Sequence, residues 1–397
     1  MKNFVFLSPN FPAIYWQFCR ELKNNDLRVL GIGDCPYDNL LPELKDSLDE
    51  YYKVSSLENY DEVYRAVAFF AFKYGRIDYL ESNNEYWLER DAKLRDDFNI
   101  NTGFHSVDME PVKYKSKMKA NYTKAGIPVA RYYLVETLEG CKKFIDEVGY
   151  PVIAKPDNGV GASGTYKINN EEQLEKFFNE KPEGELFIME EFIDATITSY
   201  DAIVNSKSEP IFETGNVTPV SLLEVVNDLK DSMFYIRKEM PEDLLKAGRA
   251  ALKSFGVKNR MVHFEFFTLN KDQHIGKKGD VVALEVNMRP SGGISPSMMN
   301  YAHSTNIFKI WADMIAYDSS LAANSNKHQF CGFIGRRDGL GHKLSDDELA
   351  AKYADHLILR DRVDEALSGA MGNRLFVCNF DTEEELMAFY KDAGELA

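Results

Sequence analysis

The sequence has few of the residues that build disulfide frameworks or zinc sites. Its 397 residues include five cysteines and seven histidines. The cysteines are far apart with no CxxC pair, and the histidines form no HxH or HExxH pattern. Cysteines without such spacing are typical of reduced thiols, so we expect a cytoplasmic protein without disulfides or a zinc site.

Long apolar segments and a basic charge balance are also absent. The opening stretch MKNFVFLSPN is too short in apolar residues for a signal-peptide core or a membrane span. Acidic residues outnumber basic ones by 63 to 47, a formal net charge of −16, which disfavours nucleic-acid or anionic-membrane partners. What remains is an ordered globular chain, 44% hydrophobic, long enough for several domains and with room for a local basic pocket.

The first hundred residues alternate apolar runs with amphipathic stretches. The predicted strands are Asn3–Leu7, Arg28–Gly33 and Ile77–Leu80, and the predicted helices are Ala13–Lys23, Tyr60–Tyr74 and Glu85–Phe98. This alternation is typical of a parallel sheet covered by helices. These first hundred residues contain no GxGxxG, so a dinucleotide site is not expected there.

The middle of the chain begins with a lysine-rich helix, predicted over Asp108–Lys124. It then becomes strand-rich. Strands are predicted at Arg131–Val135, Leu186–Met189, Ser199–Asn205, Ile211–Phe212, Met261–Leu269 and Val281–Asn287. Helices are predicted after Thr137, after Glu171, over Pro241–Phe255 and twice within 296–318, and a small βα unit closes the chain.

A glycine-rich stretch lies between two short strand patterns, YPVIAKPDNGVGASGTY at residues 150–166. Glycines let the backbone approach an anion closely, and consecutive N–H groups can form an anion-binding nest. Lys155 precedes the glycines, whereas in a P-loop the lysine follows them and opens a helix. By itself, a glycine-rich hairpin tip with a solvated lysine explains this stretch equally well.

Two later strands place acidic side chains on one face. Strand side chains alternate, so His263 and Glu265 share a face of the first strand, and Glu285, Asn287 and Arg289 share a face of the second. The short polar connection at 270–280 lets the strands pair as a hairpin, which would bring Glu265 close to Glu285. Two carboxylates and an amide oxygen suit Mg²⁺ that completes its shell with substrate phosphates. A solvated polar sheet face is the alternative for either strand alone.

A third segment, LFIMEEFI at residues 186–193, is an apolar strand that ends in two acids and Phe-Ile. Its backbone can meet an adenine edge while aliphatic side chains cover the faces of the base. In isolation it is also an ordinary strand ending in a charged turn.

In combination these segments resemble the ATP-grasp superfamily of carboxylate–amine ligases, over roughly residues 1–320. The resemblance implies an α/β (α+β) ATP-grasp fold: a Rossmann-like parallel domain (1–106), two α+β subdomains gripping ATP (107–189 and 190–320) and a small C-terminal α/β unit (321–397). It implies ATP with Mg²⁺ or Mn²⁺, two ions in all. The implied nucleotide residues are Lys115, Lys155, Asn158, Gly159, Gly161, Ser163, Gly164, Thr165, Glu190, Glu191, Phe192 and Ile193. The implied metal ligands are Glu265, Glu285 and Asn287, and Arg289 would lie near the transferred phosphate or the substrate carboxylate.

The chain departs from the superfamily at two places. Where many relatives have a ribose-binding glutamate this chain has Ile197, so either Thr198 or Asp201 replaces it or the contact is missing. The stretch after Arg289 reads Pro-Ser-Gly-Gly, which is closer to amino-acid and peptide ligases than to biotin carboxylases.

The resemblance implies that ATP activates a small carboxylate, such as an amino acid, as an acyl phosphate, which an amine then attacks. Lys155, Arg289 and His263 are the candidate catalytic residues, with His263 acting as a base, fixing a ligand or hydrogen-bonding structurally. The alternatives are a bicarbonate-activating enzyme of the carboxylase or carbamoyl-phosphate synthetase kind and an ATP-binding regulator without turnover. Expected partners are small molecules, with no nucleic acid or membrane and a possible homodimer. Arg336 and Arg337 could reach a substrate carboxylate or lie on the surface.

Overall fold

The computed structural model describes residues 1–159, 164–220, 225, 229–320, 322 and 327–397. Gly161 and Ser163, which the sequence assigns to the phosphate loop, lie outside the described residues. The described strands are β1 (Asn3–Leu7), β2 (Arg28–Gly33), β3 (Glu50–Lys53), β4 (Tyr79–Glu81), β5 (Tyr132–Leu134), β6 (Val152–Pro156), β7 (Tyr166–Ile168), β8 (Phe187–Glu191), β9 (Ala195–Val204), β10 (Pro210–Thr214), β11 (Asn216–Thr218), β12 (Ser232–Ile236), β13 (Arg260–Leu269), β14 (Val281–Asn287), β15 (Phe330–Arg336), β16 (Leu357–Arg362) and β17 (Arg374–Phe380).

The described α-helices are α1 (Trp16–Asn24), α2 (Pro42–Ser47), α3 (Tyr60–Tyr74), α4 (Leu88–Asp97), α5 (Glu110–Lys113), α6 (Lys115–Lys124), α7 (Leu138–Val148), α8 (Glu171–Glu180), α9 (Glu242–Phe255), α10 (Ser295–His303), α11 (Ile307–Tyr317), α12 (Asp346–Lys352), α13 (Glu365–Met371) and α14 (Glu383–Gly394).

The N-terminal sheet is parallel, in the order β3-β2-β1-β4, as the alternating pattern predicted. All five residues of β1 are buried, because helices cover both faces of the sheet. Phe4 and Phe6 point to one core, shared with α1 and α11, while Val5 and Leu7 point to the other, shared with α3.

A small antiparallel sheet, in the order β5-β8-β6-β7, carries the lysine and the glycine-rich loop. Its apolar face is covered by α7 and α8, through residues such as Phe144 and Phe177. Thr137 caps α7 and Asn170 caps α8, each accepting a hydrogen bond from a backbone N–H in the first turn. The opposite face of this sheet is therefore free to line a site.

The large sheet has nine strands, eight of them in the order β14-β13-β9-β11-β12-β15-β17-β16, with β10 paired to β9. The hairpin predicted between Met261–Leu269 and Val281–Asn287 is confirmed as β13 and β14. The C-terminal strands β15, β16 and β17 continue this same sheet, because β15 pairs with β12.

The predicted helix over Asp108–Lys124 is wrong in one respect, since it is two helices separated at Tyr114. Tyr114 is extended, with φ −93° and ψ 119°. The first turn of α6 is held from outside, because Asp157 accepts hydrogen bonds at its carbonyl from the Lys115 N–H (2.9 Å) and at Oδ1 from the Ser116 N–H (2.8 Å). Asp157, which is distant in sequence, thus fixes the start of α6. No pattern within residues 108–124 indicates this contact.

The described cysteines are all free, as expected. No helix in the described part of the chain is long and apolar enough to cross a bilayer.

Candidate active site

A cavity of about 600 Å³ lies between the small antiparallel sheet and the large sheet. Its lining residues come from β6, β7 and β8 of the small sheet, from β13 and β14 of the large sheet, and from β11, β12 and α13. Most of the side chains that the sequence assigns to a nucleotide site line it. They are Lys115, Lys155, Thr165, Glu190, Glu191, Phe192, Ile193, His263, Glu265, Glu285, Asn287 and Arg289.

The two acidic strands meet as the alternation predicted. Glu265 lies directly opposite Glu285, and His263 opposite Asn287, in the antiparallel register of β13 and β14. The register shifts by a bulge immediately after Glu265. Arg289 follows the strand and donates from Nη2 to the side-chain oxygen of Asn287 at 3.2 Å, and from Nη1 to the Pro290 carbonyl at 2.6 Å.

His263 bridges two carboxylates. Its Nδ1 donates to Asp201 Oδ1 at 2.8 Å and its Nε2 to Glu265 Oε1 at 3.0 Å. Burial alone would lower the pKa of His263, but the two carboxylates outweigh it and raise the pKa to about 10. The ring is then protonated at neutral pH, which disfavours its role as a base and supports its role in orienting Glu265.

Two lysines project into the cavity from different elements. Lys155 of β6 pairs with Glu190 Oε2 at 2.7 Å, and Lys115 at the start of α6 lies 3.7 Å from Glu285 Oε2. Lys115 also donates to the Gly159 carbonyl at 2.7 Å, which ties the helix to the glycine-rich loop. Burial opposes the charge on Lys155, but Glu190, Glu285 and Glu265 outweigh it and raise the pKa of the lysine. Both lysines are therefore placed to meet anionic groups.

The described part of the phosphate loop reaches the cavity at Thr165. Asn158 is exposed, and neither it nor Gly159 or Gly164 lines the cavity. Gly164 has φ +71°, and a Cβ there would lie 3.1 Å from the Pro156 ring, so the chain needs a residue without a side chain as it returns to β7.

The strand β8 and the residues after it form the region assigned to the adenine. Glu190 and Glu191 are both buried, and Glu191 is held by Arg131, which donates to Oε2 from Nε at 2.9 Å and from Nη2 at 2.7 Å. Phe192 lies under the ammonium group of Lys167 at 4.5 Å. The acidic side chains of the predicted hinge are therefore held by protein partners, and the Glu191 N–H also donates to the Arg131 carbonyl at 3.1 Å.

Neither candidate for the missing ribose contact lines the cavity. Asp201 is 2% exposed and bonds to His263 and Ser199, and Thr198 contacts Thr268 at 3.2 Å. Ile197 itself lines the cavity beside Phe267. Arg336 is fully buried and bonds to the Ala393 carbonyl (2.8 Å) and Asp346 (2.9 Å), away from the site.

Several functional positions were missed in the sequence. Lys119 pairs with Glu190 Oε1 at 2.5 Å, and Lys167 and Phe234 line the cavity. The helix α13 adds Leu367, Ala370 and Met371 to the lining of the cavity. A lysine four residues after Lys115 on one helix face was a usable signal for Lys119. No local pattern relates α13 to a site whose other lining residues lie between Lys115 and Ser295.

The residues present fit a magnesium ion by the chemistry of their donors. Glu265, Glu285 and Asn287 offer carboxylate and amide oxygens on one surface, which is what Mg²⁺ uses when phosphates complete its shell. No group of three or more His, Cys, Asp or Glu that could hold a metal unaided occurs among the described residues.

Fold and cavity together define a protein in which a small and a large sheet line one cavity. Residues 120–209 match the ATP-grasp domain family. The chain is 23% identical over 267 residues to the L-arginine-specific L-amino acid ligase of Bacillus subtilis, a match covering 64% of this chain and 61% of that protein.

Solved structures share the fold along nearly the whole chain. The L-amino acid ligase of Bacillus licheniformis superposes with a TM-score of 0.72 at 15% identity, covering 99% of this chain and 96% of that one. The biotin carboxylase domain of Hydrogenobacter thermophilus 2-oxoglutarate carboxylase, solved with MgADP and bicarbonate, gives 0.68 at 16% identity, covering 100% and 90%. These likenesses establish the fold.

Proposed function

We propose that this chain is an ATP-dependent ligase that activates a small carboxylate, such as an amino acid, and joins it to an amine. One observation carries the proposal. Glu265 and Glu285 face each other across one pair of strands, in the same cavity as Lys115, Lys155 and Arg289. A site that only held ATP would not need two facing carboxylates beside three cations.

The first step is a phosphoryl transfer. A carboxylate oxygen of the substrate attacks the γ-phosphorus of ATP, the bond to the β–γ bridging oxygen breaks, and ADP leaves with an acyl phosphate formed. Lys155 and Lys115 offset the negative charge of the phosphates, and Arg289 holds the substrate carboxylate or the transferred group. Magnesium, when bound by Glu265, Glu285 and Asn287, would supply further positive charge at the β- and γ-phosphates.

The second step forms the amide. The amine nitrogen attacks the carbonyl carbon of the acyl phosphate, the carbon–oxygen bond to phosphate breaks, and the nitrogen gives up a proton. Since His263 is already protonated, we assign it the task of holding Glu265 through its Nε2–H. The reaction belongs in the cytoplasm, where ATP is available and free cysteines stay reduced.

A bicarbonate-activating enzyme is the second candidate, and the likeness to a biotin carboxylase domain favours it. The lining of the cavity favours the ligase instead. Phe234, Leu367 and Met371 line the same cavity as Arg289, and bicarbonate has no apolar group to place against them. An ATP-binding regulator without turnover is disfavoured by the two carboxylates.

The test is ADP release from MgATP across a panel of carboxylic acids and amines. Acid- and amine-dependent ADP release with amide product supports the ligase. Release stimulated by bicarbonate alone supports the second candidate. ATP binding with no ADP under any combination would contradict both and support a regulator.

The metal assignment has its own prediction. Glu285→Gln should lower kcat by about a hundredfold or more, because the variant removes an anionic ligand needed in the transition state. The fold should survive, since the amide fills the same volume, and this can be checked by circular dichroism. The matched control is Glu185→Gln, an exposed carboxylate just before β8, which should keep its activity. Near-normal turnover of Glu285→Gln would show that the assignment is wrong.

A further inference from the structure

One group of the residues that line the cavity is uncharged. The charged side chains that line the cavity lie on the small sheet, on α6 and on the strands β13 and β14, and the last of them along the chain is Arg289. The described lining residues that come from β11, β12, the 291–295 turn and α13 are all uncharged. The apolar members with side chains on α13 and β12 are Phe234, Leu367, Ala370 and Met371, and the polar members of the set are Asn216, Thr218, Ser232, Ser291 and Ser295.

The apolar wall is fixed by close backbone packing. Gly293 has φ +60°, and a Cβ there would lie 2.6 Å from the Met371 sulfur, so Met371 packs directly on the turn. A Cβ on Gly335 would lie 1.6 Å from the Met371 carbonyl oxygen, so α13 sits against β15 with no intervening side chain. The helix position, and with it the depth of the pocket, is therefore set before any substrate binds.

The opposite wall and the helix end are also held. The Phe234 ring stacks on Phe333, with centroids 4.6 Å apart and planes at 23°. Arg337, left open in the sequence, donates to the carbonyls of Gly369 at 2.8 Å and Val225 at 2.7 Å. It thereby ties α13 to Val225, which also lines the cavity, and this makes Arg337 a positioning residue.

We infer that the carboxylic acid activated by this chain carries an apolar side chain, seated against Phe234, Leu367, Ala370 and Met371 while its carboxylate meets Arg289. The inference rests on the proposed ligase function. An apolar group gains free energy by leaving water for this wall, whereas a charged side chain would lose its hydration without meeting an opposite charge on the described lining. This contrasts with the arginine specificity named for the Bacillus subtilis relative.

The experiment traps the acyl phosphate with hydroxylamine, so that the amine substrate need not be known. Hydroxamate and ADP are measured for the full chain with MgATP and L-leucine, L-methionine, L-phenylalanine, L-aspartate, L-lysine or L-arginine. We expect kcat/KM for the apolar acids to exceed that for the charged ones by about tenfold or more. Preference for a charged acid would overturn the inference and leave the ligase standing. No hydroxamate or ADP with any acid, while ATP still binds, would overturn the proposed function itself.

A matched pair of variants on α13 locates the pocket. Ala370→Glu places a carboxylate on the wall, whereas Ala366→Glu places one on the exposed part of the same helix, outside the cavity. Ala370→Glu should lower kcat/KM for L-leucine about tenfold, raise it for L-lysine and L-arginine, and leave KM for ATP unchanged. Ala366→Glu should match the unmodified chain. Equal profiles for the two variants would overturn the placement, and should Ala370→Glu fail to fold, the panel on the unmodified chain decides alone.

Discussion

Glu190 is a single residue of the cavity lining that fixes two lysines, Lys119 and Lys155. Burial opposes its ionisation, but Lys119 and Lys155 outweigh burial and hold its pKa at about 2. The carboxylate therefore keeps its charge at neutral pH and fixes two lysines from two different elements, α6 and β6. If Lys155 binds ATP as proposed, this pairing orders the lysine beforehand, which lowers the entropy cost of forming the complex.

At the residue scale, one prediction concerns the ion pair between Lys119 and Glu190. Lys119→Met should lower the free energy of unfolding by about 2 kcal/mol, less than for a fully broken buried pair because Lys155 still contacts Glu190. Urea denaturation followed by circular dichroism measures it. Lys117→Met, on the exposed face of the same helix, is the matched control and should change stability by less than about 0.5 kcal/mol. Equal losses in both variants would contradict the role of Glu190.

A second residue, His303, makes stability depend on pH. It is buried, its Nε2 contacts the Thr214 hydroxyl at 2.6 Å, and its Nδ1 lies 2.9 Å from His328 Nδ1. Burial, and to a lesser extent His328, lowers its pKa from 6.5 to about 4. The folded ring stays neutral in mild acid, while the unfolded ring binds a proton near its ordinary pKa.

The sign follows from that difference. As pH falls from 6.5 towards 4, the unfolded state takes up the proton first, so the protein loses stability, by about 3 kcal/mol at pH 4. Replacing the imidazole by an amide removes this proton uptake. His303→Gln should therefore flatten the fall in unfolding free energy between pH 6.5 and 4, measured by urea denaturation at a series of pH values. A fall as steep as in the unmodified chain would contradict the assignment.

At this scale the sequence predicted the pairing of Glu265 with Glu285 because alternation along a strand is a local rule. It did not predict that His263 would be charged, since that depends on Asp201, which reaches it from the neighbouring strand β9. The sequence also could not show that Asp201 accepts a hydrogen bond from His263 and does not line the cavity. Such roles depend on three-dimensional neighbours.

Among the secondary-structure elements, α13 packs closely against β15, and this contact fixes the position of a helix that lines the cavity. Gly335 of β15 and Gly372, just after α13, face each other so closely that a Cβ on Gly372 would lie 2.2 Å from the Gly335 carbonyl oxygen. Local propensity indicates a helix at Glu365–Met371 at best, and says nothing of which strand it lies against. This contact is therefore a product of the tertiary fold, like the break between α5 and α6.

The contact can be tested by one methyl group. Gly335→Ala would push the Met371 carbonyl away from β15, because backbone at 1.6 Å cannot be accommodated by a rotamer change. We expect the unfolding free energy to fall by about 1 to 3 kcal/mol. We also expect a higher KM for the carboxylic acid and an unchanged KM for ATP. Gly341→Ala, where a Cβ meets nothing within 4 Å, is the matched control. Unchanged KM for the acid in a destabilised Gly335→Ala would show that α13 does not shape that pocket.

Across the whole molecule, the N-terminal sheet and the later helices share one hydrophobic core. The core joins Phe4, Phe6 and Phe18 to Met298 and Trp311, and it also contains Phe333 of the large sheet. The sequence predicted the parallel sheet from its alternation, but which helix would cover it could not be deduced, because α11 follows nearly three hundred residues later. The domain boundaries expected after residues 106, 189 and 320 stay predictions, and this shared core argues that the first unit depends on the rest.

Trp311 is the central residue of that core. It is 1% exposed, and its ring lies 5.6 Å from Phe4 and 5.0 Å from Phe18, both in edge-on contact. Trp311→Ala should lower the free energy of unfolding by about 3 to 5 kcal/mol, because it leaves a cavity between α11 and the N-terminal sheet. Phe72→Ala, which removes an aromatic ring that is 92% exposed on α3, is the control and should change stability little.

The same variant tests whether the molecule unfolds as one unit. If the core couples the N-terminal sheet to the site, amide hydrogens of β1 and of β13 should both exchange faster in Trp311→Ala, by similar factors, because both strands then open through the same global unfolding. Hydrogen–deuterium exchange with peptide-level mass spectrometry measures this. Faster exchange in β1 with unchanged exchange in β13 would mean that the N-terminal sheet opens alone. The stability of the cavity would then not depend on that sheet. Equal acceleration would mean that a substitution remote from the cavity lowers the fraction of chains able to bind ATP.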